Sequence, residues 1–169
     1  RQMCIRDREV PFRWMTGTQS HEGMAGTKAA IDHIAWIGRE ISENEGLGRR
    51  EALKVAYSAI EDYERELCLR MIRGLTDIDG LKIWGITDPE RITERSPTVS
   101  FTHPKMAASE IGSLLAERGI FVWAGNFYAL ELTEALGLEP EGVLRVGLLH
   151  YNSMEEVDFF LESVREILE

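Results

Sequence analysis

The chain predicts an α/β or α+β fold, in which a small sheet is covered by helices and preceded by two helices. Three observations carry that expectation. Two segments with helical apolar spacing occupy the N-terminal part, about residues 24–41 and 49–73. Beyond residue 80, short apolar runs alternate with helical ones, the pattern of a sheet layered with helices. At 169 residues and 44% hydrophobic content, there is enough apolar surface for one core, or for one small domain with a helical extension.

Met15–Gly26, rich in Gly, Thr and Ser, reads as a loop that leads into a helix over about Met24–Ile41, with Ala30, Ile34, Ile37 and Ile41 at helical spacing. Ser42–Gly48 is polar, carries two glycines and breaks the pattern. Arg49–Arg73 is dense in strong helix formers, with Leu53, Ala56, Ile60, Tyr63, Leu67 and Ile72 as its expected buried stripe and Gly74 as its C-cap. Strands are expected over Leu81–Ile86, Thr98–Thr102, Ile120–Trp123 and Val143–Leu149. Between them, Pro104 opens a helix at Lys105–Arg118 that Gly119 ends, and Phe127–Leu136 forms a short helix. Ser153 and Glu156 form a capping box for a last helix with Val157, Phe160, Leu161, Val164 and Leu168 on one face. The four tryptophans, Trp14, Trp36, Trp84 and Trp123, read as core or interface anchors.

Composition narrows the function classes. A net charge of −10 argues against a nucleic-acid partner, which needs clustered Lys and Arg. No apolar run approaches the ~20 residues of a membrane span, and the charged N-terminus reads as lacking a secretory leader. Cys4 and Cys68, far apart, suggest neither a disulfide framework nor a zinc site and fit a reducing cytoplasm. His33, His103 and His150 lack metal-ligand spacing, so no metal site is expected.

Five positions stand out chemically. Gly17-Thr18 offers flexible backbone, free N–H groups and a hydroxyl ahead of a helix, which suits an anion or a helix cap. Arg145 is a lone charge in the apolar strand V-L-R-V-G-L-L, so it needs a carboxylate ligand or a structural ion pair. Tyr128, between Phe127 and Ala129, reads either as a packed aromatic or as a group facing substrate. Asn126 is a candidate hydrogen-bond donor to substrate, and His21 is a loop histidine that is either solvated or turned toward a ligand.

Three stretches carry a family resemblance: P-F-R-W-M-T-G-T-Q at Pro11–Gln19, G-I-F-V-W-A-G-N-F-Y-A-L-E at Gly119–Glu131, and L-R-V-G-L-L-H-Y-N-S-M-E-E at Leu144–Glu156. Together they resemble the C-terminal part of the cysteine desulfurase-like class V aminotransferases, which are pyridoxal-phosphate (PLP) enzymes of fold type I. The resemblance covers Val10–Glu169, roughly the last two-fifths of such an enzyme. It implies PLP as cofactor of the full-length parent, a homodimer with active sites at the interface, and a small amino acid as substrate. Gly17 and Thr18 would reach the PLP phosphate of the partner subunit, and Arg145 would bind the substrate α-carboxylate, with Asn126 and Tyr128 near the substrate. The change of pattern near Gly74 places a domain boundary within or just after the long helix, so that under the resemblance 9–74 is the end of the large domain with its connecting helix and 75–169 a small domain.

The chain departs from the desulfurase pattern in two slots. Trp123 stands where the family has an arginine, and Tyr128 where it has the nucleophilic cysteine. A phenol has no sulfur to accept, so a transaminase, lyase or epimerase is as open as a desulfurase. PLP chemistry also needs a lysine whose amine holds the cofactor covalently. Lys28, Lys54, Lys82 and Lys105 lack the family context, which would lie upstream of Gly17. No catalytic residue is therefore assigned within this stretch, and by itself it is expected to lack PLP activity. The first eight residues, R-Q-M-C-I-R-D-R, look like a translated sequencing adapter, which would place the natural sequence from about Glu9 onward inside a longer protein. The rival expectation is a non-catalytic small-molecule-binding or interaction module of α+β type. The upstream sequence separates the two.

Overall fold

The computed structural model describes residues 9–15 and 17–168. The adapter-like segment 1–8, with Cys4, and Thr16 of the loop lie outside the described residues. Two compact units are present, one extending through Ala59 and one spanning Ile60–Glu169.

In the first unit, a short 3-10 turn, Phe12–Trp14, precedes helix α1, His21–Ser42. The Ser20 side chain caps α1 by accepting from the Gly23 amide at 3.2 Å. That cap starts the helix three residues ahead of the expected Met24, so His21 opens the helix and is not a loop residue. Glu43 closes α1 in the left-handed region, φ 51°, with its N–H on the carbonyls of Arg39 and Glu40. The next helix, α2, spans Arg49–Thr76. Its first turns meet α1 through small residues: Ala35, Gly38, Ala52 and Ala56 are all buried. A Cβ on Gly38 would fall 1.8 Å from the Ala52 carbonyl oxygen, so only glycine permits this approach.

The second unit contains the rest of α2, the four-stranded sheet, a 3-10 helix at Pro89–Glu94 and three more α-helices among the described residues. The strands are β1, Lys82–Trp84; β2, Thr98–Thr102; β3, Trp123–Gly125; and β4, Val143–Gly147. The helices are α3, Ala108–Glu117; α4, Leu130–Ala135; and α5, Met154–Leu168. The sheet is antiparallel throughout, in the order β1-β2-β4-β3. Strand alternation gives it two unlike faces. Val99, Phe101, Leu144 and Val146 are buried and form the core with Leu67, Met71 and Leu75 of α2, Ile111 and Leu115 of α3, and Val157, Phe160, Leu161 and Val164 of α5. The intervening positions make a cross-strand row, since Trp84 pairs with Ser100, Ser100 with Arg145, and Arg145 with Trp123. None of these four is buried.

Several expected boundaries move. Helix α2 continues past Gly74 to Thr76, so Gly74 is no C-cap. It is buried, and a Cβ there would lie 2.3 Å from a Leu161 methyl. Tyr63 is exposed and leaves the expected buried stripe, its hydroxyl donating to the Asn152 carbonyl at 2.7 Å. Pro104 and Lys105 form a turn closed by a bridge between His103 and Met106, and α3 starts only at Ala108. Strand β1 is shorter than expected, β3 begins at Trp123, and β4 ends at Gly147. Trp14, Trp36 and Trp123 are exposed and so do not anchor a core, while the half-buried Trp84 donates its indole N–H to Thr102 Oγ1 at 3.0 Å. The capping box of α5 forms as expected: Ser153 N–H donates to Glu156 at 2.8 Å and Glu156 N–H donates to Ser153 Oγ at 3.2 Å. Among the described residues, no helix is long and apolar enough to cross a membrane.

Candidate carboxylate site beside the sheet

Arg145 occupies the middle of β4, with buried Leu144 and Val146 on either side and Trp123 opposite on edge strand β3. Period-two geometry therefore places it away from the core, even though its strand reads as apolar. It is half-buried. Its guanidinium carbon lies 3.9 Å from the centre of the Phe127 ring, a cation–π contact. Phe127 in turn meets Trp123 edge-on, with centroids 6.5 Å apart and planes at 71°. No carboxylate pairs with Arg145 among the described residues, so the structural ion pair weighed for it is not found there.

The loop that carries Phe127 has an unusual backbone. Phe127 and Tyr128 lie consecutively in the left-handed region, at φ 55° and 63°. Side chains other than glycine adopt this region at a cost, so surrounding contacts must hold it. Asn126 supplies them. Its Oδ1 accepts from the Tyr128 amide at 3.2 Å, and its backbone carbonyl accepts from the Ala129 amide at 2.9 Å. Its Nδ2 donates to Glu139 Oε1 at 3.2 Å, and the same oxygen accepts from the hydroxyl of buried Thr133. Tyr128 is therefore neither helical nor packed: it precedes α4, and its side chain is fully exposed. Arg145, Asn126 and Tyr128 come together, with Trp123, Phe127 and the β3 backbone, around a cleft of about 370 Å³.

Gly17 and Thr18 lie in the first unit, in an exposed bend just before the Ser20 cap. A Cβ on Gly17 would meet nothing within 4 Å, so space is open beside it. No lysine lines the Arg145 cleft among the described residues. Lys28 pairs with Asp32, Lys54 with Glu51, and Lys82 lies 3.6 Å from the centre of the Trp84 ring.

Sequence reasoning missed Phe127 and Glu139. No local signal marks Phe127, because its ring reaches Arg145 only through the left-handed turn. Glu139 looks like one more of 29 acidic residues until Asn126 and Thr133 converge on it.

Beyond β4, Asn152 ties the chain into α5. Its Oδ1 accepts from the Leu149 amide at 2.9 Å, and its Nδ2 donates to Glu156 at 3.2 Å. The donors from Ser153 and Asn152 hold the Glu156 carboxyl below the ordinary glutamate range. In the core, burial pushes the Cys68 thiol up.

A family model described as Aminotransferase class-V matches residues 47–160. A probable cysteine desulfurase of Pyrococcus abyssi is 28% identical over 165 residues, covering 98% of this chain and 35% of the relative. The aminotransferase-like protein FGM3 of Gibberella zeae is 33% identical over 117 residues, covering 68% of this chain and 29% of the relative. Among solved structures, the apo cysteine desulfurase of Thermococcus onnurineus NA1 superposes with a TM-score of 0.73 at 26% identity, covering 95% of this chain and 34% of that one. The chain thus spans about a third of the length of the curated relatives it matches. These likenesses bear out the expected fold, a small sheet covered by helices in the manner of PLP-dependent fold type I proteins.

Proposed function

The chain belongs to the aminotransferase class-V family, and from that premise we propose that it is the C-terminal part of a PLP-dependent enzyme acting on a small amino acid. In this reading residues 9–74 end the large domain and 75–169 form the small domain of a cytoplasmic homodimer. Arg145 binds the substrate α-carboxylate through its planar fork of donors. Gly17 and Thr18 contact the PLP phosphate across the dimer, using backbone N–H groups and a hydroxyl that the exposed bend leaves accessible. When bound, PLP withdraws electrons from the substrate α-carbon. Tyr128, fully exposed beside the cleft, can offer a phenolic O–H but no thiol, which favours a transaminase, lyase or epimerase over a desulfurase.

The observation that carries this reading is a half-buried guanidinium, without a carboxylate partner among the described residues, at the wall of an open cleft. An arginine kept for structure is expected to have an anion already in place. The test is Arg145→Ala in the full-length protein, followed by thermal melting and by amino-acid titration of the cofactor absorption band. Amino-acid affinity should fall about thirtyfold or more, because truncating one side of a hydrogen-bonded charge pair typically costs ~2–5 kcal/mol. The melt should change little. A variant that melts far lower while binding substrate unchanged makes Arg145 structural and refutes the assignment.

A further inference from the structure

We propose that Phe127 is a positioning residue for substrate recognition: its ring, set by the Asn126-tied left-handed turn, holds Arg145 ready for a carboxylate. This rests on the carboxylate-binding reading of Arg145 and goes beyond it by naming the group that prepares the arginine. Three observations support it. The ring centre is 3.9 Å from the guanidinium carbon, well within cation–π range. A cation–π contact provides no hydrogen-bond acceptor, so the guanidinium N–H donors turned away from the ring stay free for a carboxylate, a two-pronged acceptor. The contact therefore restrains a long, flexible side chain without competing for its ligand, and it keeps water from the covered side.

The second observation is the backbone. Phe127 reaches this place at φ 55°, followed by Tyr128 at φ 63°, and the costly pair is held by Asn126 Oδ1 on the Tyr128 amide. The third is that Asn126 is itself anchored: its Nδ2 donates to Glu139, which also accepts from buried Thr133. A chain of contacts thus runs from the interior at Thr133 through Glu139 and Asn126 to Phe127, and ends on Arg145. Strain at a loop beside an open cleft, fixed from the interior, is the arrangement expected of a preorganised binding group.

The test separates this role from mere packing by using two probes, L-alanine and L-alaninamide, which differ in the carboxylate. Binding to the full-length protein is measured by calorimetry, with and without PLP, for the unmutated protein, Phe127→Leu, Phe127→Tyr and Asn126→Ala. Phe127→Leu should weaken L-alanine binding by about three- to tenfold, the scale of a partly desolvated cation–π contact. It should leave L-alaninamide binding and the melting temperature nearly unchanged. Phe127→Tyr should restore L-alanine binding, since it keeps the ring. Asn126→Ala should act in the same direction as Phe127→Leu by loosening the turn from outside the cation–π contact. Equal losses for both probes, or no loss in either Phe127→Leu or Asn126→Ala, overturn the proposal. Arg145→Ala runs alongside: if it leaves L-alanine binding intact, the carboxylate reading fails, whereas a loss there with none in Phe127→Leu defeats only the positioning role.

Discussion

Gly142 backs directly onto Gly125: a Cβ built on Gly142 would fall 2.2 Å from the Gly125 carbonyl carbon. The contact brings the start of β4 against the end of β3, one residue from Asn126 and three from Arg145. Gly142 also has φ 67°, a left-handed conformation that costs other residues about 1–2 kcal/mol. Both features penalise any side chain, and the clash is with backbone, which cannot swing aside. Gly142→Ala should lose at least about 2 kcal/mol in denaturant unfolding. It should also weaken amino-acid binding, because the turn holding Phe127 leaves from Gly125. A variant of unchanged stability would mean that the two strands part without cost.

Two helical glycines should respond differently to alanine. On Gly38 the added methyl meets the Ala52 carbonyl oxygen at 1.8 Å, and backbone must move. On Gly74 it meets the Leu161 methyl at 2.3 Å, the end of a side chain that can turn, although Leu161 is buried. Alanine also returns up to about 1 kcal/mol of helix propensity at each site. Gly38→Ala should therefore cost about 3 kcal/mol or more, and Gly74→Ala about 1 kcal/mol net. Chemical denaturation of both variants checks the order, and the reverse order would contradict the packing.

The full-length parent should be a poor cysteine desulfurase. In the proposed reading the resemblance sets Tyr128 against the desulfurases' cysteine, and Tyr128 stands fully exposed beside the Arg145 cleft. Sulfide release from cysteine should be near background in the unmutated protein, measured in parallel with Tyr128→Cys. Efficient turnover without the substitution would show that another thiol performs the chemistry.

The α5 capping box should weaken in acid. Donors from Ser153 and Asn152 lower the Glu156 pKa in the folded protein below its ordinary value of 4.5. A depressed carboxylate contributes stability that is present above the unfolded value and is lost as pH falls through the lower, folded one. Glu156→Gln keeps a capping side chain but removes the titration. The stability difference between the unmutated protein and Glu156→Gln should thus be constant near neutrality and shrink once pH falls below about 4.5, followed by denaturant midpoints across that range. A constant difference down to the acid limit would show that the carboxylate charge plays no part. Ser153→Ala should cost about 1 kcal/mol at neutral pH, the usual loss for a removed N-cap.

The features legible in the sequence are those that a few neighbouring residues encode. Ser153 and Glu156 announced their box because both bonds close within one helical turn. Strand β2 appeared at its full length, and β4 from its first residue, because the pattern of apolar residues marks them. Arg145 stood out as a lone charge in an apolar run, and the motifs around it named the family.

Only the tertiary structure decided what each residue faces. Gly74 looked like a helix end because a glycine near the last apolar residue usually is one, but Leu161, far along the chain, makes it a contact site inside the helix. Tyr128 looked helical because its neighbours favour helix, but Asn126 captures its amide and turns it outward. Arg145 looked out of place in an apolar strand, whereas strand alternation turned Leu144 and Val146 to the core and left it beside Phe127. Periodicity and capping depend on bonds between near neighbours, so they can be read along the chain. Close approach, left-handed turns held by side chains, and the choice of sheet face depend on partners that only folding brings into contact.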